Sequence, residues 1–140
     1  MVKYKGFTLK KIKEFTGREG YGLVCDMYVN NKFAGSYADY GNGAMGDASF
    51  VSLEMEEQVM HIVFACGKEN PNGFMLNIYR QDEDMYEKDV TGIKNRFPYI
   101  ADDEITPESV SACELDCLVE FYMQMRSYEL SLKKSKEEGV

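Results

Sequence analysis

The last third of the chain carries the pattern that most restricts the fold. Thr106 is a typical N-cap residue, Pro107 suits the first helical position and Glu108 suits the first turn. Apolar residues then recur at helical spacing, at Val110, Cys113, Cys117, Phe121, Met125, Tyr128 and Leu132, with Leu118 and Tyr122 widening the stripe. The pattern predicts one helix over about residues 107–136, and ~30 helical residues span roughly 45 Å. Its last turns are therefore expected to extend past a domain of this size.

The first forty residues show the alternation of apolar and polar side chains that is typical of strands. Three segments carry this pattern, namely Phe7–Phe15, Tyr21–Val29 and Phe33–Tyr40. The alternation in the first segment slips by one residue near Lys10 and Lys11, which predicts a β-bulge there. Thr16–Gly20 and Asn30–Lys32 have the composition of tight turns. We therefore predict an antiparallel meander.

The middle of the chain is less clearly patterned. Glu54–Cys66 favours a helix, although a strand around His61–Phe64 fits the same residues. Phe74–Arg80 alternates as a strand does, and residues 82–105 read as irregular, with one or two helical turns between Tyr86 and Asn95. The predicted fold is one α+β domain over residues 1–140. It consists of a mostly antiparallel sheet within residues 5–80 and the long C-terminal helix packed on one face.

Charge is distributed unevenly along the chain, whose formal net charge is −8. Residues 1–18 hold six basic residues and one acid, whereas residues 82–120 hold twelve acids and three basic residues. The acidic segment is expected to repel nucleic acid and to attract a basic protein surface. The predicted partner-binding residues are Asp82, Glu83, Asp84, Tyr86, Asp102, Asp103 and Glu104. The overall charge also argues against nucleic acid as a direct ligand.

The sequence contains no clear catalytic or cofactor-binding motif. Gly41, Gly43 and Gly46 match a dinucleotide-binding glycine pattern, but hairpin strands precede them and no β-α-β unit follows. His61 is the single histidine, and none of its sequence neighbours forms a recognised nucleophile motif. The four cysteines lack the spacing of a zinc site and are expected to be reduced. We therefore predict no catalytic residue, no metal and no cofactor.

Two alternatives to a binding protein stay open. The carboxylates and His61 suit a small metal-dependent hydrolase or nuclease. The overhanging end of the C-terminal helix, with Tyr128 and Leu132, suits a homodimer or a larger homo-oligomeric assembly. The sequence shows no signal-peptide pattern and no apolar stretch of membrane-spanning length, so a cytoplasmic location is expected.

Four segments within residues 5–43 are Lys5–Lys10, Gly17–Gly22, Asp26–Lys32 and Asp39–Gly43. Together they resemble the opening of small proteins from phages and mobile elements of gut bacteria. Some small acidic proteins of this size class are anti-CRISPR inhibitors of guide-dependent nucleases. The resemblance implies a protein that works by binding, inside a bacterial host cell, with a CRISPR effector nuclease as the partner. It assigns no catalytic residue.

Overall fold

A computed structural model of the protein describes residues 2–137. Four strands precede five α-helices, and a short 3-10 helix, Asp102–Glu104, lies between the third and fourth helices. The chain divides into two compact units, Met1–Glu56 with Val119–Val140 and Glu57–Leu118. The predicted α+β fold class is confirmed, and the single domain stays a prediction.

The first unit contains a four-stranded antiparallel sheet in the order β1-β2-β3-β4. Its strands are β1 (Phe7–Gly17), β2 (Gly20–Val29), β3 (Lys32–Asp39) and β4 (Asp47–Phe50). Pairing of Phe7 with Val29 and of Leu9 with Met27 puts these four buried side chains on one face. The predicted meander is thereby confirmed, but the sheet ends at Phe50 and does not continue to the strand predicted at Phe74–Arg80.

Local turn chemistry explains the strand boundaries. Asn30 and Asn31 adopt φ values of 50° and 68°, the left-handed region that asparagine tolerates better than most residues. The register of β1 on β2 shifts between Lys10 and Lys13, and Lys11 has a φ of 53°. The predicted bulge is therefore confirmed, and it reverses which face the later side chains of β1 occupy.

The C-terminal helix α5 (Leu115–Glu137) covers the apolar face of this sheet. The Tyr122 ring lies 6.0 Å from the Phe7 ring, and its hydroxyl donates to the Val2 carbonyl at 2.9 Å. Tyr122 is 1% exposed, whereas Phe121 and Met125 are half-buried. The buried face of α5 is thus centred near Tyr122, which the sequence pattern placed at the margin of the apolar stripe.

The second unit is helical. It contains most of α1 (Leu53–Glu69), together with α2 (Gly73–Gln81), α3 (Glu83–Arg96) and α4 (Pro107–Ser111). Phe64 of α1 and Phe97, which follows α3, meet edge to face at 6.2 Å, and both are buried. The predicted helix over Glu54–Cys66 is confirmed.

Two predictions in this part of the chain are wrong. Phe74–Arg80 forms helix α2 rather than a strand, because Leu76 and Tyr79 are buried at helical spacing and the Asn72 side chain caps the first turn. Residues 83–96 form the regular helix α3 rather than an irregular segment, and the Asp82 side chain caps its first turn.

The predicted helix over residues 107–136 is broken. Thr106 caps α4 and Pro107 opens it as predicted, but the chain leaves the helical conformation at Ala112 and α5 begins at Leu115. The Ser111 hydroxyl donates to the Glu108 carbonyl at 2.6 Å, a local bond that competes with the helical pattern. The apolar stripe therefore belongs to two helices.

Candidate partner-binding surface

The net negative charge of the chain is carried by the second unit. Residues 57–118 hold thirteen acids and five basic residues, which gives −8, and the remaining residues hold eleven of each. The acidic segment that the sequence analysis identified therefore coincides with one compact part of the fold. A partner that approaches this unit meets a strongly negative surface, whereas the other unit is neutral on average.

The first part of the predicted binding set lies at the start of α3. Asp82 accepts a hydrogen bond from the Met85 amide at 3.1 Å and is the N-cap. Glu83 and Asp84 occupy the first turn and are exposed. Acids at a helix N-terminus interact favourably with the helix dipole whether or not a partner is present. Asp82 therefore has a structural role that Glu83 and Asp84 share only in part.

The second part lies on the 3-10 helix. Asp102 Oδ1 lies 3.3 Å from Lys94 Nζ, and the two side chains are 89% and 53% exposed. Asp103 is exposed, whereas Glu104 is half-buried and accepts a hydrogen bond from the Ala101 amide. Ion pairs between exposed side chains contribute little to stability, so Asp102 remains available to a partner.

A shallow open pocket of about 110 Å³ lies between α3 and the 3-10 helix. It is lined by Tyr86, Glu87, Val90, Lys94, Asp102 and Ile105. Of the predicted residues, the structure brings Tyr86 and Asp102 into this pocket. Glu87, Val90, Lys94 and Ile105 were not predicted. Val90 and Lys94 follow Tyr86 at helical spacing, a signal that is visible only once α3 is recognised as a helix.

The Tyr86 side chain is held in place within the second unit. Its ring packs edge to face against Tyr79 at 5.3 Å, and the Tyr79 hydroxyl donates to Asp89 at 2.7 Å. Burial raises the pKa of Tyr86, and the nearby carboxylates of Glu87 and Glu108 raise it further. The phenol therefore stays protonated, and its ring and hydroxyl suit an interface anchor.

His61 has a partner that its sequence neighbours did not indicate. Its Nδ1 donates to Glu104 Oε2 at 2.7 Å, and its ring lies 5.8 Å from the Tyr99 ring. The carboxylate fixes the orientation of the imidazole, as in many histidine–carboxylate pairs. No sequence motif could have identified this pair, because 43 positions separate the two residues.

The other sequence motifs have structural explanations. The glycine-rich segment from Gly41 to Gly46 connects the antiparallel strands β3 and β4, and no helix follows it directly. The Gly41 carbonyl accepts from the Glu19 amide at 2.6 Å, so the loop is bonded to the β1–β2 turn. None of the four cysteines, all of which lie within the described residues, forms a disulfide.

Two further properties concern the described residues only. Between Val2 and Glu137, no three His, Cys, Asp or Glu side chains come together in an arrangement that suits a metal ion. No helix in the described part of the chain combines the length and the apolar content that a membrane crossing requires.

Comparison with known proteins returns no relative: no family model matches the chain, and neither the curated proteins nor the solved structures contain a match.

Proposed function

We propose that this chain is a non-enzymatic binding protein whose acidic surface on residues 57–118 docks on a basic protein surface. The observation that carries the proposal is the concentration of the whole net charge of −8 in one compact unit. Complementary charge speeds the encounter with a basic partner and favours one orientation of approach. The pocket around Tyr86 supplies an apolar contact within that charged surface.

The proposed partner is a CRISPR effector nuclease in the cytoplasm of a bacterial host. Such enzymes hold the backbone of nucleic acid in channels lined with lysine and arginine. An acidic surface that occupies a channel of this kind excludes nucleic acid from it. This class of partner comes from the resemblance of residues 5–43, whereas the preference for a basic surface comes from the charge of the second unit.

The experiment measures binding of the full chain to a purified guide-loaded CRISPR nuclease at low and high salt, together with cleavage of target DNA. The test variant combines Glu87→Lys with Asp103→Lys. Both side chains are exposed, and neither caps a helix. The control variant combines Glu19→Lys with Asp47→Lys, two exposed acids of the first unit.

The two variants change the net charge equally, so only the position of the change differs between them. We expect the test variant to bind at least ~10-fold more weakly and the control variant to bind as the unmodified chain does. Equal weakening in both variants would show that overall charge, rather than this surface, drives binding. An absence of binding at low salt would exclude the nuclease as the partner.

A hydrolase is the second candidate function, and the observation that favours it is the His61–Glu104 hydrogen bond of 2.7 Å. A carboxylate that orients an imidazole is a common element of general-base catalysis. The test is an activity screen on nucleic-acid and ester substrates with Mg²⁺, with His61→Gln as the variant. Activity that is lost in His61→Gln and retained in Glu87→Lys would support the enzyme over the binding protein.

A further inference from the structure

The two residues predicted for oligomerisation, Tyr128 and Leu132, lie on the last turns of α5 and are 67% and 48% exposed. Within residues 2–137 no contact shows what covers them, so a homodimer stays a prediction.

Two asparagines of this chain are followed directly by glycine, namely Asn42 in the loop between β3 and β4 and Asn72 before α2. An asparagine–glycine pair can rearrange without an enzyme. Glycine has no side chain to obstruct the attack of its own amide nitrogen on the side chain before it. The two pairs are equivalent in sequence, but the fold holds them in different ways.

Asn72 is fixed at the start of α2 by three hydrogen bonds. Its Oδ1 accepts from the Met75 amide at 3.1 Å, and its carbonyl accepts from the Leu76 amide at 2.9 Å. Its own amide donates to the Ser111 hydroxyl at 2.9 Å. With a ψ of 108°, the Gly73 nitrogen lies on the far side of the Cα–C bond from the Asn72 side chain. Reaction at this pair therefore requires the first turn of α2 to open.

Asn42 is held by one short-range hydrogen bond. Its Oδ1 accepts from the Ala44 amide at 3.1 Å, and Asn42, Gly43 and Ala44 are all exposed. No residue in the described part of the chain accepts a hydrogen bond from the Gly43 amide. The nitrogen that has to attack is therefore available, and one exposed bond is all that has to break before it reaches Asn42 Cγ.

The reaction needs only water as a co-reactant. The Gly43 nitrogen bonds to Asn42 Cγ and gives up its proton, while the side-chain nitrogen takes up a proton and leaves as ammonia. The product is a five-membered succinimide ring that includes the Asn42 backbone carbonyl carbon. Water then adds to one of the two ring carbonyl carbons and breaks its bond to nitrogen, which leaves aspartate or isoaspartate at position 42. Either product carries a negative charge that asparagine lacks.

We infer that Asn42 is a site of spontaneous deamidation and that the fold protects Asn72. The carboxylate formed at position 42 has a charged neighbour. A Cβ placed on Gly43 would lie 3.3 Å from Glu19 Oε2, so the Glu19 carboxylate lies beside the reacting pair. The Glu19 amide donates to the Gly41 carbonyl at 2.6 Å and bonds the loop to the β1–β2 turn. Two like charges at this point weaken that attachment.

The first test incubates the full chain at mildly alkaline pH and follows both sites by peptide mapping with tandem mass spectrometry, which locates the exchange of NH2 for OH. We expect deamidation at Asn42 to be at least ~10-fold faster than at Asn72. The matched control is the same chain in urea. Unfolding removes the bonds that hold both pairs, so the two rates should then agree within about twofold. Asn42→Gln should remove the reaction in the loop and leave the rate at Asn72 unchanged.

The second test measures the protection of the backbone amide at position 19 against hydrogen exchange, by NMR, in Asn42→Asp. Repulsion between two exposed carboxylates is modest, so this protection should fall by roughly 3-fold at low salt. Adding Glu19→Gln to the same chain removes the repulsion and should restore the protection. Asn42→Gln keeps position 42 neutral and should have no effect.

Four results would overturn the inference. In the folded chain they are equal rates at Asn42 and Asn72, or a faster reaction at Asn72. In urea, a rate ratio that persists would show that the local sequence rather than the fold directs the reaction. Unchanged protection at position 19 in Asn42→Asp would show that the new charge does not act on the attachment of the loop.

Discussion

Gly67 lies where α1 approaches α4, and replacing it with alanine tests whether that approach is as tight as the structure shows. A methyl carbon at position 67 would lie 2.9 Å from the carbonyl oxygens of both Ser109 and Ala112. An ordinary contact begins at 3.4 Å, so one helix must shift by about 0.5 Å. Backbone carbonyls cannot rotate away as a flexible side chain can.

Two effects of opposite sign determine how Gly67→Ala changes the free energy of unfolding. Alanine is the better helix former by about 1 kcal/mol at an interior position. Overpacking against backbone typically costs ~1–3 kcal/mol. The contact involves two carbonyls and no mobile side chain, so we expect the steric cost to exceed the gain. The predicted net result is a loss of about 1 kcal/mol.

Gly92→Ala is the matched control. Gly92 lies in the interior of α3, in the same unit, and a methyl carbon there would have no atom within 4 Å. Only the helix-propensity gain remains, so this variant is expected to be more stable by about 1 kcal/mol. The assay is urea unfolding followed by far-ultraviolet circular dichroism at one protein concentration. A Gly67→Ala protein as stable as Gly92→Ala would show that α1 and α4 do not pack this closely.

Three further predictions concern other parts of the chain. Tyr122→Phe leaves the Val2 carbonyl without its buried donor, so it should lower the free energy of unfolding by about 1–2 kcal/mol in urea titrations. Ser109→Ala removes a buried hydroxyl that donates to Glu104 O at 2.7 Å and accepts from the Thr106 amide at 2.9 Å, and it should cost about 2 kcal/mol in the same assay. Burial raises the pKa of Cys113 from 9.0 to about 11, so between these values the unfolded thiol ionises while the folded one stays protonated, and stability should fall as pH rises. Cys113→Ala should make that fall less steep when unfolding is measured from pH 8 to 10.

The hairpins could be predicted from sequence because their signals are local. The turn at Asn30 and Asn31 needs only residues that tolerate a positive φ, and the bulge after Lys10 follows from the slip in alternation. The helix start at Thr106 and Pro107 is local in the same sense, since the cap and the Ser109 amide that donates to it lie three residues apart.

Helix α2 could not be predicted in this way because a short apolar segment fits both periods. Phe74, Leu76 and Ile78 alternate, but the buried residues are Leu76 and Tyr79, three positions apart. Only packing within the helical unit decides between these patterns. The Asn72 cap was the local sign that favoured the helix.

The His61–Glu104 pair and the pocket beside Tyr86 depend on tertiary structure. The pair joins α1 to the 3-10 helix across 43 positions, and the pocket joins α3 to that same 3-10 helix. The sequence identified the acidic segment as a whole because charge adds up without knowledge of the fold. It could not show which acids share a pocket.

The structural roles of the acids decide which of them can report on a partner. Asp82 caps α3, Glu104 holds His61 and the Ala101 amide, and acids in a helix first turn are stabilised by the helix dipole. Folding alone therefore accounts for these positions, and replacing them would mix a loss of stability with a loss of binding. Glu87 lies past the first turn of α3, and Asp103 is exposed on the 3-10 helix. Since neither caps a helix, a loss of binding in Glu87→Lys with Asp103→Lys that Glu19→Lys with Asp47→Lys does not share would show that the acidic surface contacts the partner.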